Sequence, residues 1–196
     1  MDTVDLTPAA RRLGALISRM PDDQLAQPSP CPAYTAGDLI QHIGTLARAF
    51  TAAARKAGGP LVDHAPPGDA ALLEPGWREQ IPRDLDTLAA AWNEPGAWTG
   101  MTRIAGMDAP AEMVGVTVAD EIAVHGWDVA QATGQSWQCE PEILAAAMQF
   151  LDQFASPDAP AGPEVAFGPS RTLPGDTPLL HRVVSRAGRD LDWSAA

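Results

Sequence analysis

The chain has 196 residues and a formal net charge of −12 at pH 7, a length sufficient for one domain with its own core. A chain this acidic lacks the basic face that binding to nucleic acid or to an anionic membrane requires, so neither partner is expected. No run approaches the roughly 20 apolar residues of a membrane-spanning helix, and the acidic start does not look like a secretory signal. Two cysteines without a CxxC motif suit a cytoplasmic protein.

The first two predicted elements are helices. The first begins with Thr7 as N-cap, followed by a proline at the first helical position, and stops at Pro21. The second begins at Thr35, where Asp38 three residues on gives the pattern of a capping box, and it ends at the glycine pair 58–59.

A loop rich in proline and glycine, residues 58–76, leads to a third helical pattern that ends before Pro95. Because the residue before a proline disfavours helix, this element either begins at Pro82 or is kinked there. After an irregular stretch, a fourth helix is predicted from about Pro110 to Gly134. At 1.5 Å per residue it would be about 35 Å long.

The remaining helices are one that begins near Pro141 and a short one in the tail, capped by Asp176 or Thr177 and stopped by Gly188. No segment is a convincing strand, although residues 164–168 could form a short one.

The predicted fold class is therefore all-α, a four-helix bundle with an additional helix and a short C-terminal tail helix. The bundle is expected over residues 1–155, and a Pro/Gly-rich extension over 156–196.

Three polar side chains share one stripe of the predicted fourth helix. At about 100° per residue, Glu121 and His125 lie about 40° apart around the axis, with Asp128 on the same side. Apolar neighbours such as Ile122 mark this stripe as a face that would turn toward the core, where an unpartnered carboxylate is costly. On the second predicted helix, His42 lies on or beside the apolar seam.

Spacing alone leaves two interpretations of these residues open. They could be hydrogen-bonded core side chains, or His42, Glu121 and His125 could bind a metal ion between two helices of the bundle. Two neutral imidazoles and one carboxylate would leave a divalent ion with net charge +1 and at least one open coordination position.

Two stretches, PSPCPAYTAGDLIQHIG and EIAVHGWDVAQATGQ, resemble the paired signature of the DinB/YfiT-like metal-binding superfamily, in its mycothiol-dependent maleylpyruvate isomerase branch. The likeness covers most of residues 1–155, and the tail is similar to that of the small members. The resemblance implies a DinB-like four-helix bundle whose divalent metal, often zinc, would be bound by His42, Glu121 and His125. The resemblance makes metal binding by these residues the favoured interpretation. It also implies a low-molecular-weight thiol of the mycothiol type as cosubstrate.

Asp128 has two interpretations. It could orient an imidazole as a hydrogen-bond acceptor, or form a structural salt bridge or hydrogen bond with a neighbouring helix. The second is favoured, because a side chain at i, i+3 need not reach the outer ring nitrogen. Trp127 beside it is interpreted as packing.

Both cysteines and the other two histidines are placed outside the predicted site. Cys31 is interpreted as a buried or loop thiol and Cys139 has no local partner, whereas His64 and His181 are expected at the surface.

The leading functional hypothesis is a thiol-dependent transferase or isomerase that acts on a small electrophile, with the metal favouring the thiolate. Hydrolysis is weaker, because Glu121 would already serve as a ligand and a general base is lacking. The alternatives are a non-catalytic metal- or ligand-binding bundle and a helical interaction protein without metal. Six tryptophans leave room for an exposed apolar patch and hence for a homodimer.

Overall fold

The computed structural model describes residues 3–65, 67–160 and 167–194. The helices are α1 (Thr7–Ser18), α2 (Ala36–Ala54), α3 (Pro60–Asp63), α4 (Trp77–Trp92), α5 (Ala111–Thr133), α6 (Pro141–Phe154) and α7 (Leu179–Arg186), and the strands are β1 (Met101–Ile104) and β2 (Met107–Pro110). This helical architecture confirms the predicted fold class. Of the strand considered at 164–168, residues 164–166 lie outside the described part of the chain.

Helices α1, α2, α4 and α5 form the four-helix bundle. α1 and α2 each pack against both α4 and α5, α6 covers another side of α5, and α7 packs against α6 and α5. As a result α5 is surrounded by other elements, and most of its side chains are buried. The domain boundary near residue 155 stays a prediction. Across the described residues, none of the helices combines the length and apolarity needed to cross a membrane.

Two helix ends follow the predicted chemistry closely. The hydroxyl of Thr35 accepts a hydrogen bond from the Asp38 backbone N–H, and the Asp38 carboxylate accepts one from the Thr35 N–H at 3.0 Å. These reciprocal bonds satisfy backbone donors at the start of α2. Gly134 ends α5 in the left-handed conformation with φ of 65°, where a residue without Cβ avoids steric cost.

Two predicted caps are wrong. Thr7 is the first helical residue of α1, not its cap, because its backbone N–H donates to the Asp5 carboxylate at 2.9 Å. At α7 neither Asp176 nor Thr177 is the cap, which is Pro178. The residue before a proline prefers an extended backbone, so the helix begins only after Pro178.

Helix α4 begins at Trp77 and runs through Pro82. Of the two alternatives for this proline, the helix start is therefore wrong, and the kink stays a prediction. Proline lacks the N–H that would bond to the carbonyl four residues earlier, which belongs to Arg78. The Ser18 hydroxyl of α1 donates to this carbonyl at 2.9 Å. Gly14 allows the close approach, since a Cβ there would lie 3.1 Å from the Pro82 Cβ.

The β1–β2 hairpin was not predicted. The strands pair antiparallel and turn at Ala105 and Gly106, whose φ values are 50° and 78°. Two consecutive positive φ values are typical of the tight turn that matches strand twist. The Thr102 hydroxyl donates to the Ala53 carbonyl at 2.6 Å and attaches the hairpin to the end of α2.

Candidate metal centre

The structure brings His42 of α2 together with Glu121 and His125 of α5. One nitrogen or oxygen from each residue lies within 4.8 Å of the others. A Glu121 carboxylate oxygen is 3.0 Å from His125 Nε2 and 4.0 Å from His42 Nε2. The side chains are 16, 26 and 9 % exposed for His42, Glu121 and His125, so the cluster is mostly buried yet reachable from solvent.

Carboxylates lie at both ring nitrogens of His125. Glu121 is 3.0 Å from Nε2, and Asp128 is 3.0 Å from Nδ1. Burial alone would lower the His125 pKa, but the hydrogen bonds to these carboxylates raise it to about 10. Without a metal, the pair of carboxylates therefore favours a positive charge on the ring between them.

Asp128 combines both roles considered from the sequence. Its carboxylate reaches His125 Nδ1, despite the i, i+3 spacing, and also forms an ion pair outside its own helix. The partner is Arg189, which follows α7 and whose Nε and Nη2 donate at 3.0 and 2.9 Å. Burial would raise the Asp128 pKa, but the guanidinium and His125 keep it below its usual value.

His42 is held differently. The ring of Tyr34 lies 5.0 Å from the His42 ring between centroids, tilted by 34°. The Gly68 backbone hydrogen-bonds the Tyr34 phenol, and a Cβ on Gly68 would lie 2.2 Å from the Asp38 carbonyl and 2.9 Å from the His42 Cβ. Among the described residues, His42 Nδ1 is buried without a hydrogen-bond partner. Burial lowers the His42 pKa to about 4, which keeps the imidazole neutral.

The donor set fits a divalent ion, because it offers two imidazole nitrogens and one carboxylate oxygen within 4.8 Å of one another. Residues 6–130 match the family model described as the mycothiol maleylpyruvate isomerase N-terminal domain. The chain belongs to this family. Two uncharacterized proteins of Mycobacterium tuberculosis, MT0763 and Rv0738, are each 27% identical over 185 residues, which cover 89% of this chain and 90% of the relative. No solved structure matches the chain significantly.

Membership in the mycothiol maleylpyruvate isomerase N-terminal domain family confirms the resemblance drawn from the sequence. The matched residues 6–130 contain the three predicted ligands and Asp128. Arg189 lies beyond the match. The sequence does not predict the role of Arg189, because no local pattern marks this residue. The available signal was that a buried Asp128 needs a cationic partner.

The tryptophan, cysteines and histidines that the sequence leaves outside the site also lie outside the ligand cluster. Trp127 is buried in the core, and Cys31 is buried in the loop before α2. Burial raises the pKa of the Cys139 thiol to about 12, which makes it a poor nucleophile. His64 and His181 are exposed, as predicted.

One wall beside the centre is apolar. Side chains from α1, α2, α4 and α5, among them Leu13, Phe50 and Leu88, line a narrow crevice in which Glu121 and His125 are the polar members. A group bound at the ligand cluster would therefore contact hydrocarbon on this side and water on the other.

With both imidazoles neutral, as they must be to bind a metal, the ligand set carries one net negative charge, on Glu121. The Asp128 carboxylate is paired with the Arg189 guanidinium, and burial raises the pKa of Asp120 well above its ordinary value. Burial would raise the Glu121 pKa, but the contacts with His125 and Arg189 lower it, so Glu121 keeps its charge. A divalent ion would thus have a net charge of +1 in this site.

Proposed function

We propose that this chain binds one divalent ion, with zinc as the best candidate, through His42, Glu121 and His125, and that it catalyses a thiol-dependent transfer or isomerisation of a small electrophile. The observation that carries the proposal is the convergence of three ligand atoms from two helices within 4.8 Å. Structural zinc sites usually have four protein ligands, whereas catalytic sites keep a position open for water or substrate. A three-residue set favours the second class.

A divalent ion in this position would favour the thiolate form of a bound thiol. The family description names mycothiol, which makes a mycothiol-type thiol the leading cosubstrate. Among the described residues, neither cysteine belongs to the ligand cluster, and burial raises the Cys139 pKa to about 12, so we assign the reactive thiol to the cosubstrate.

The reaction balances without any oxidant or reductant. In a transferase, the thiolate sulfur forms a bond to an electrophilic carbon and the leaving group departs with its electron pair. In an isomerase, the sulfur adds to a conjugated double bond, the resulting single bond rotates, and the same sulfur leaves. Both routes need a positive centre beside the sulfur, and the net charge of +1 supports binding of the anionic thiolate.

The residues of the chain would orient the reactants. His42 and His125 approach each other edge to face at 5.4 Å between ring centroids and fix two directions of coordination. The apolar crevice next to Glu121 and His125 excludes water on one side, which strengthens electrostatic interactions with a developing negative charge. The crevice has a volume of only about 20 Å³, so it would limit what can approach the centre from this side.

Metal content tests the first half of the proposal. We expect about one ion per chain in protein purified under metal-replete conditions, and loss of this ion in His42→Ala. The exposed His64 supplies the matched control, because His64→Ala removes an imidazole away from the centre. An ion that survives in His42→Ala would contradict the assignment.

Turnover tests the second half and separates a catalyst from a non-catalytic binding protein. Metal-loaded and chelator-treated protein would be assayed with mycothiol and a panel that contains maleylpyruvate, an epoxide and an activated aryl halide. We expect metal-dependent turnover of at least one electrophile. Metal binding without turnover of any of them would favour a binding or sensing role.

A further inference from the structure

We propose that Arg189 is a positioning residue of the metal centre, which acts through Asp128 to fix the imidazole of His125. The segment after α7 is then part of the framework of the centre. The inference rests on the proposed function only in that the cluster must bind a cation. It adds to the metal centre a residue that lies outside residues 6–130, the part of the chain that matches the family model.

A continuous chain of hydrogen bonds connects the tail to the ligand. Two nitrogens of Arg189 donate to the two carboxylate oxygens of Asp128 in a forked arrangement, and one of these oxygens is 3.0 Å from His125 Nδ1. A third nitrogen, Nη1, donates to the Ala187 carbonyl at 3.1 Å. Arg189 and Asp128 side chains are 2 and 0 % exposed, so water cannot easily replace either partner.

The end of α7 determines where Arg189 lies. The Gly188 N–H donates to the Ser185 carbonyl at 3.0 Å and the Arg189 N–H donates to the Val184 carbonyl at 2.9 Å, which is the pattern of a Schellman motif. Gly188 has φ of 79°, and a Cβ there would lie 2.6 Å from the backbone of Gly168. The motif therefore needs glycine, and it directs the next residue toward α5.

The consequence for the centre is a fixed ring orientation. When Nδ1–H of His125 donates to Asp128, Nε2 is the ring nitrogen on the Glu121 side, and it is the nitrogen that would bind an ion once its proton is lost. The Arg189 charge also cancels that of Asp128, so that the carboxylate holds the ring without reducing the net positive charge of a loaded centre.

Two full-length variants test this role without leaving a buried charge unpaired. Arg189→Lys keeps the charge but replaces the fork by a single ammonium group, and the double variant Arg189→Met with Asp128→Asn removes both charges. Arg186→Met is the matched control, because Arg186 is on α7 and bonds to Asp152 and Ser170 instead. Co²⁺ titration followed by visible absorption reports affinity and coordination geometry, and far-ultraviolet circular dichroism reports folding of the metal-free protein.

We expect both variants to fold, to bind Co²⁺ about 10- to 100-fold more weakly than the wild type, and to show shifted absorption bands, as for other partners of metal-bound histidine. Arg186→Met should bind like the wild type. Wild-type affinity and spectrum in both Arg189 variants would overturn the role of Arg189 and leave the metal centre intact. Absence of Co²⁺ binding by the wild type would instead reject the proposed function itself.

Discussion

The two imidazoles of the centre differ in how the protein holds them. His125 has a carboxylate at each ring nitrogen, and one of these carboxylates is held by a buried arginine. His42 has an aromatic ring beside it and no hydrogen-bond partner for Nδ1 among the described residues. Directional charged hydrogen bonds fix a ring more tightly than packing does. The α5 side is therefore the rigid half of the site and the α2 side the adjustable half.

The difference follows from where each helix lies. α5 is surrounded by other elements, so its polar groups depend on partners inside the protein. His125 and Asp128 have such partners, whereas Asp120 Oδ1 is buried without one among the described residues. His42 lies where α2 meets the loop that contains Gly68, and its neighbours there are a tyrosine ring and loop backbone. Substitutions in the two halves test this contrast, in order of decreasing expected effect.

Asp128→Ala should have the largest effect on stability, because it leaves the Arg189 guanidinium buried and unpaired. We expect the free energy of unfolding of the metal-free protein to fall by about 3–5 kcal/mol in urea titrations. The control is Asp152→Ala, which breaks the more exposed pair with Arg186 and should cost no more than about 1 kcal/mol. Equal losses in both variants would contradict the buried ion pair.

His125→Ala and His42→Ala should both abolish metal binding but differ in the metal-free state. Loss of His125 removes two hydrogen bonds to carboxylates, and we expect a fall of about 3 kcal/mol in unfolding free energy. Loss of His42 removes the ring contact with Tyr34, at a cost of about 1 kcal/mol. Equal losses in urea titrations, or the reverse order, would remove the distinction between the two halves.

Gly68→Ala should disturb only the adjustable half. A Cβ there would lie 2.2 Å from the Asp38 carbonyl, so the loop must move away from His42. We expect Zn²⁺ affinity, measured by competition with a chromogenic chelator, to fall by roughly tenfold. Gly58→Ala is the control, since a Cβ at Gly58 meets nothing within 4 Å. Equal affinities in the two variants would show that the loop does not support His42.

Tyr34→Phe should have the smallest effect. It keeps the ring beside His42 and removes only the hydroxyl that hydrogen-bonds the Gly68 backbone. We expect a loss of about 0.5–1 kcal/mol in unfolding free energy and metal affinity close to that of the wild type. A large loss of metal binding would mean that the phenol contributes to the centre directly.

The sequence predicts the parts of this molecule that depend on local chemistry. The capping box at Thr35, the stop at Gly134 and the inward stripe of Glu121 and His125 follow from spacing along one helix. Helical periodicity also gives the fold class. What brings His42 to the other two residues is the packing of α2 against α5, which the family resemblance implied and spacing alone left open.

Long-range contacts explain what the sequence did not predict. Pro82 stays inside α4 because Ser18, 60 residues before Arg78, satisfies the carbonyl that the proline leaves free. Arg189 binds Asp128, which lies 61 residues earlier in the chain. An arginine and an aspartate at that separation form no recognisable sequence motif. Gly106 in the short turn is a local signal of the β1–β2 hairpin. The strands have only four residues each, too few to show the alternation of apolar and polar residues that predicts a longer strand.

The central claim is that His42, Glu121 and His125 bind one divalent ion together. X-ray absorption at the zinc edge of the loaded protein tests it most directly. We expect two imidazole nitrogens and a carboxylate oxygen at about 2.0–2.2 Å, with one imidazole lost in His42→Ala and none lost in His64→Ala. A spectrum with a single imidazole, or one that His42→Ala leaves unchanged, would contradict the claim.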